Sequence, residues 1–128
     1  MTAPTEAKLI AIAPQFLVPD LQAALDFYLE RLGFRIAFRY SDFYAAVERD
    51  GMMIHLKHSD EPDPGRRTKQ HGDHLDAYIS VTGVVALYEE YQRRGVAFAQ
   101  PLQATAWGTQ EFVVWDNSGY ILYFGQPS

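Results

Sequence analysis

From Leu21 to Leu32 the apolar side chains recur at Leu21, Ala24, Leu25, Tyr28 and Leu32, and from Val84 onward at Val84, Leu87, Tyr88 and Tyr91. Both spacings lay one apolar stripe along a helix, so two helices are predicted, each covering a sheet. Asp20 and Thr82 precede them as candidate N-caps, and Gly33 and Gly95 stop them. Most of the remaining apolar residues alternate with polar ones, the period of a strand. Phe34 to Tyr40 and Phe43 to Arg49 flank a Ser41-Asp42 turn, and Asp50-Gly51 turns the chain into Met52 to Lys57. Further on, Gln110 to Asp116 and Tyr120 to Phe124 are joined by Asn117-Ser118-Gly119, while Gln100 to Gly108 reads as irregular.

The pattern occurs twice. Val18-Pro19-Asp20-Leu21 through Leu32-Gly33-Phe34 matches Val81-Thr82-Gly83-Val84 through Arg94-Gly95-Val96, and Met52 to Leu56 corresponds to Tyr120 to Phe124. The expected fold class is therefore α+β, two βαβββ modules in one domain, the first over about residues 9–58 and the second over about 74–125. Between them, about residues 59–73, two prolines, two glycines and many charges make an exposed linker. His71 and His74 fall in or beside it with no helix to fix their spacing, and His58 ends a strand, so all three read as surface histidines.

Composition narrows the chemistry. The 128 residues are 48% hydrophobic and 14% aromatic, enough for a core, and no apolar run reaches the about 20 residues of a membrane helix. Met1 to Lys8 lacks the apolar stretch of a signal peptide, so a cytoplasmic protein without a membrane partner is expected. There is no cysteine, which removes disulfides, thiolate zinc sites and a cysteine nucleophile. A net charge of -5 argues against nucleic acid, whose phosphates demand Lys and Arg, and mildly favours a cationic ligand. No glycine-rich phosphate loop or Gly-x-Ser-x-Gly elbow occurs.

Sorting strand residues by alternation locates a candidate site. One face collects Pro14, Phe16, Val18, Ile54, Leu56, Leu75, Ala77, Ile79, Val81, Leu122 and Phe124, all apolar, as expected beneath the helices. The other collects Ala13, Gln15, Leu17, Met53, His55, Asp76, Tyr78, Ser80, Ile121 and Tyr123, an apolar surface seeded with polar groups. Ligand clefts are lined in this way, whereas a purely solvated face would hardly carry Leu17, Met53, Ile121 and two tyrosines.

The stretch from Phe16 to Phe34 resembles the opening module of the vicinal-oxygen-chelate superfamily of glyoxalases, bleomycin-resistance proteins and ring-cleaving dioxygenases. Trp107 to Tyr120 is similar to the closing hairpin of that superfamily, and the likeness runs from about Ile10 to Gly125. It implies curved mixed sheets around a barrel-like cleft, completed by pairing eight strands in a homodimer; the alternative is a monomer with its two modules paired internally. It also says where metal-dependent members hold their ion: carried over by motif, the four ligand positions are Ala13, His55, Asp76 and Tyr123. Ala13 has no donor and Tyr123 is a poor one unless deprotonated, which leaves two ordinary ligands where catalytic zinc takes three. Neither a metal nor another cofactor is therefore expected.

The bleomycin-resistance branch is resembled most, through Asp42-Phe43-Tyr44-Ala45-Ala46-Val47, Ala13-Pro14, and Trp107-Gly108 ahead of Glu111-Phe112. Gln110 stands where that branch usually has Arg, and Asp116-Asn117-Ser118-Gly119 replaces its Asp-Pro-x-Gly turn, so the resemblance does not identify the ligand. The favoured expectation is a binding protein that sequesters an aromatic or amphipathic, cationic small molecule, using Gln15, Phe38, Tyr40, Phe43, Met53, His55, Asp76, Tyr78, Trp107, Glu111 and Tyr123. The alternative is a lyase, isomerase or dioxygenase in which His55 with Asp76 and Tyr123 is catalytic.

Overall fold

The computed structural model describes residues 6–61 and 75–128. The linker from residue 62 on, with His71 and His74, lies outside them. Strand β1 (Gln15–Val18), helix α1 (Leu21–Glu30), β2 (Arg35–Tyr40), β3 (Tyr44–Arg49) and β4 (Met52–His58) form the first half. Strand β5 (Ala77–Ser80), helix α2 (Val84–Arg93), β6 (Phe98–Ala104), β7 (Thr109–Trp115) and β8 (Ile121–Pro127) form the second. Each half makes its own four-stranded mixed sheet, in the orders β1-β4-β3-β2 and β5-β8-β7-β6. The first strand of each runs parallel to the last, Gln15 beside His55 and Tyr78 beside Tyr123. The βαβββ repeat is thus present, but within one chain the eight strands make two separate sheets and not a closed barrel.

Local chemistry accounts for most element ends. The Asp20 carboxylate accepts from Ala23 N at 3.0 Å and caps α1. Thr82 does not cap α2. That position belongs to Gly83, in the left-handed region at φ 75°, and the free N–H of Val84 donates to the side chain of Gln126 in β8 at 2.8 Å. A side chain from across the sheet does there what a local cap does for α1. Strand β6 replaces most of the irregular stretch expected from Gln100 onward. Two register shifts and Pro101 hide its alternation, and it sits at the sheet edge, where a strand tolerates proline.

Both halves bury their helix-facing residues in one core. Leu25, Tyr28 and Leu32 of the α1 segment, Leu56 of β4, Tyr91 of α2, Phe112 of β7 and Phe124 of β8 are all buried there. Leu75, at 39% exposure, is the least covered of the residues assigned to this face. Polar contacts repeat across the join with an approximate twofold logic. Arg31 donates to the carbonyl of Arg94 (2.7 Å), and Arg94 to that of Glu30 (3.0 Å), so each helix end is capped from the other half. The Tyr91 hydroxyl donates to Leu32 O, and Arg49 makes a two-pronged pair with Glu90 at 2.9 Å per prong. The Tyr120 ring stacks on Phe16 at 4.2 Å, and its hydroxyl both donates to Leu17 O and accepts from Leu17 N. Buried Asp116 accepts from the Tyr28 hydroxyl and from the N–H groups of Ser118 and Tyr120.

Candidate functional site

The faces turned away from the helices carry the candidate residues, and register decides which of them meet. On the first sheet, Ala46 of β3 lies beside His55 of β4, which lies beside Gln15 of β1, and Phe38 of β2 pairs with Ala46. Alternation then puts Tyr44 on the same face. Its hydroxyl lies 2.8 Å from Gln15 Oε1 and 2.8 Å from His55 Nδ1. The Phe38 and Tyr44 rings are parallel at 6.0 Å, and His55 stands edge-on to both at 5.6 Å. Lys57 follows on this face, its ammonium 5.6 Å from the Phe43 ring. Phe38, Tyr40, Phe43 and Met53 remain exposed beside this cluster.

The second sheet repeats the device with the partners exchanged. Here the tyrosine is on the first strand and its acceptor on the third: the Tyr78 hydroxyl donates to Glu111 Oε2 at 2.6 Å, and Thr109 Oγ1 donates to the same oxygen at 3.2 Å. Glu111 is only 4% exposed. Between the two strands runs β8, and the Tyr78 side chain crosses it above Gly125, where a Cβ would overlap the Tyr78 hydroxyl and lie 3.2 Å from Glu111 Cγ. Gly125 is therefore the gap through which the tyrosine reaches the acid. The hydrogen bond to Glu111, then burial, then the carboxylate's charge push the Tyr78 phenol up to about 12. Tyr123 lies beside Tyr78, with ring centroids 6.3 Å apart.

His55, Asp76 and Tyr123 do not come from one sheet. His55 is on β4 and Tyr123 on β8, while Asp76 precedes β5 and turns its carboxylate Oδ2 to the N–H of Ile121 at 2.8 Å. With Ala13 at the fourth position and Asp76 committed to the β8 backbone, these residues do not fit the metal set of the resemblance. Among the described residues no three His, Cys, Asp or Glu side chains gather as a metal site. His58 is half exposed and pairs with Asp60 at 3.2 Å. Trp107 sits at the tip of the β6–β7 hairpin, 74% exposed, beyond the sheet carrying Tyr78 and Glu111.

Sequence reading missed Tyr44, Thr109 and Gly125. The signal for Tyr44 was present, since it stands two residues before Ala46 in an alternating strand. Gly125 carried none, because its role depends on what crosses it.

This arrangement offers flat aromatic surface, one carboxylate that only accepts, and an imidazole tied to a phenol. Comparison with known proteins bears on its use. The Glyoxalase/Bleomycin resistance protein/Dioxygenase superfamily profile matches residues 10–124. No curated protein sequence matches the chain. Among solved structures it is similar to the bleomycin-binding protein of bleomycin-producing Streptomyces verticillus, complexed with copper(II)-bleomycin, at 23% identity and TM-score 0.74 over 96% of this chain and 100% of that one. It is also similar to a glyoxalase/bleomycin resistance protein/dioxygenase from Alicyclobacillus acidocaldarius (22%, TM-score 0.76, 99% and 95%). A third is TioX from Micromonospora sp. ML1 (20%, TM-score 0.72, 91% and 98%). At these identities the likeness is one of fold.

Proposed function

We propose that this chain, which belongs to the Glyoxalase/Bleomycin resistance protein/Dioxygenase superfamily, is a cytoplasmic small-molecule binding protein that sequesters an aromatic or amphipathic ligand without a metal. The observation that carries the reading is the pair of polar-aromatic sheet faces. Phe38, Tyr40, Phe43 and Tyr78 stay 44%, 69%, 47% and 45% exposed while the opposite faces of the same sheets supply the buried core residues Phe16, Val18, Leu56, Leu122 and Phe124. So much aromatic surface beside a few fixed polar groups is the make-up of a ligand site. Glu111 suits a cationic substituent, because it is a carboxylate whose two hydroxyl partners leave its charge unneutralised. The bleomycin complex of the Streptomyces neighbour supports a drug-like ligand and a role in antibiotic resistance.

The ligand-bearing form in this proposal is a homodimer. Each sheet forms half a cleft, and ahead of β1 the residues Leu9, Ile10 and Ile12 are almost wholly exposed, an apolar segment suited to lie against a second copy. Light scattering returning a mass near 14.5 kDa at micromolar concentration would remove the dimer. A lyase, isomerase or dioxygenase built on His55, Asp76 and Tyr123 is the second reading. The Tyr44–His55 contact favours it as a proton-handling pair, and the engagement of Asp76 with the backbone counts against it.

Tryptophan fluorescence titrated with bleomycin-type glycopeptides and a panel of aromatic metabolites tests the proposal, with Trp115→Phe used to assign the signal. Stacking on an aromatic adds about 0.5–1.5 kcal/mol and a cation–π contact more, so Trp107→Ala should weaken a bound ligand about tenfold. A panel without a binder, together with near one transition metal per chain that His55→Ala removes, would replace binding with metal chemistry.

A further inference from the structure

The Tyr44 hydroxyl has one proton and two partners. Gln15 Oε1, at 2.8 Å, carries lone pairs only, so the proton points to it. The hydroxyl oxygen is then left to accept from His55 Nδ1, also at 2.8 Å, which requires Nδ1 to hold the ring proton. In a neutral imidazole that leaves Nε2 as a bare lone pair. The tautomer is the minor one of free histidine, and here a relay from His55 through Tyr44 to Gln15 selects it. Among the described residues Nε2 has no hydrogen-bond partner, although the ring is half-buried between Phe38 and Tyr44. A fixed acceptor beside exposed aromatic rings is a place for a donor on a ligand. Lys57, further along this face, makes a positive group on the ligand unwelcome at this end.

We propose that Gln15 and Tyr44 are positioning residues that hold His55 with its Nε2 lone pair turned to the ligand, and that the first sheet takes a flat aromatic ring bearing a hydrogen-bond donor, a phenol-type hydroxyl, which donates to Nε2. The proposal rests on the reading of these faces as a ligand site. It differs from the cation expected at Glu111, which belongs to the other sheet.

The relay is tested on the ligand-free protein by long-range proton–nitrogen correlation spectra of nitrogen-15-histidine-labelled protein, with His55→Ala assigning the signal among the four histidines. In the neutral ring, Nδ1 should carry the proton and Nε2 the pyridine-type shift. Gln15→Glu, an acceptor only, should keep this state, whereas Tyr44→Phe should return the ring to the Nε2–H form. Parent spectra showing Nε2–H, or spectra unmoved by Tyr44→Phe, overturn the relay. The ligand class is tested by calorimetric titration with 2-naphthol and with 2-methoxynaphthalene, whose oxygen has no proton. The naphthol should bind at least about tenfold tighter, and the preference should vanish in His55→Ala. Equal binding of both overturns the donor requirement while leaving an aromatic ligand site. Binding of neither removes the proposal and the broader reading together.

Discussion

Replacing Gly125 by alanine isolates the arrangement on which the second sheet's polar site depends. The backbone of Gly125 is not in the left-handed region, so alanine adopts it without strain and only the space above it matters. The new methyl would overlap the Tyr78 hydroxyl and approach Tyr78 Cζ to 2.8 Å and Glu111 Cγ to 3.2 Å. A contact that short cannot persist, so the ring swings out and its bond to Glu111 is lost. A hydrogen bond to a charged group contributes about 1.5–3 kcal/mol, which is the expected loss. At about 4 °C per kcal/mol for a domain of this size, that lowers Tm by roughly 6–12 °C. Urea denaturation with an unchanged slope gives the free energy directly. The cycle that tests the cause adds Tyr78→Ala, which removes both the obstructed ring and the bond. In that background Gly125→Ala should cost less than about 0.5 kcal/mol. A full cost there, or a loss below about 0.5 kcal/mol in the parent, would refute the account.

Three further outcomes follow from the same contacts. The Tyr78 phenol is held up to about 12 against an ordinary 10.0, so its contribution to stability is whole below 10 and is lost as pH rises toward 12; burial also raises Tyr28 and Tyr91, so tyrosinate absorbance should show several late-titrating tyrosines, and Tyr78→Phe should remove the earliest of them. The two-pronged bond to Arg49, assisted by Arg94, holds Glu90 below its usual value, so its contribution is present above the ordinary carboxylate range and lost as pH falls through the lowered value; Glu90→Gln should flatten that part of the acid-unfolding curve. Tyr120→Phe leaves Leu17 N and O without their side-chain partner and should cost about 1–3 kcal/mol in urea denaturation, with Phe16 stacking retained.

The repeat, both helices, the Asp20 cap and the division of strand residues between a sealed and a polar-aromatic face were legible in the chain, because each is written in spacing over a few residues. Periodicity needs no knowledge of distant neighbours, and the face carrying Phe16, Val18, Leu56, Leu122 and Phe124 is buried as alternation requires. Where a signal was interrupted, as at Pro101 and the two register shifts of β6, reading along the chain took a strand for a loop.

Tertiary structure decided the rest, because register and packing join residues that no local rule connects. Gln126 took the capping role assigned to Thr82, since a side chain from β8 reaches the exposed N–H of Val84. His55 and Asp76 share a candidate list through the motif resemblance, yet Asp76, just ahead of β5, satisfies the backbone N–H of Ile121. Tyr44 meets Gln15 and His55 only because β1, β4 and β3 lie side by side in one register. Gly125 reads as an unremarkable strand glycine until Tyr78 crosses it to reach Glu111, a contact between residues 33 positions apart that exists only once β5, β8 and β7 have paired.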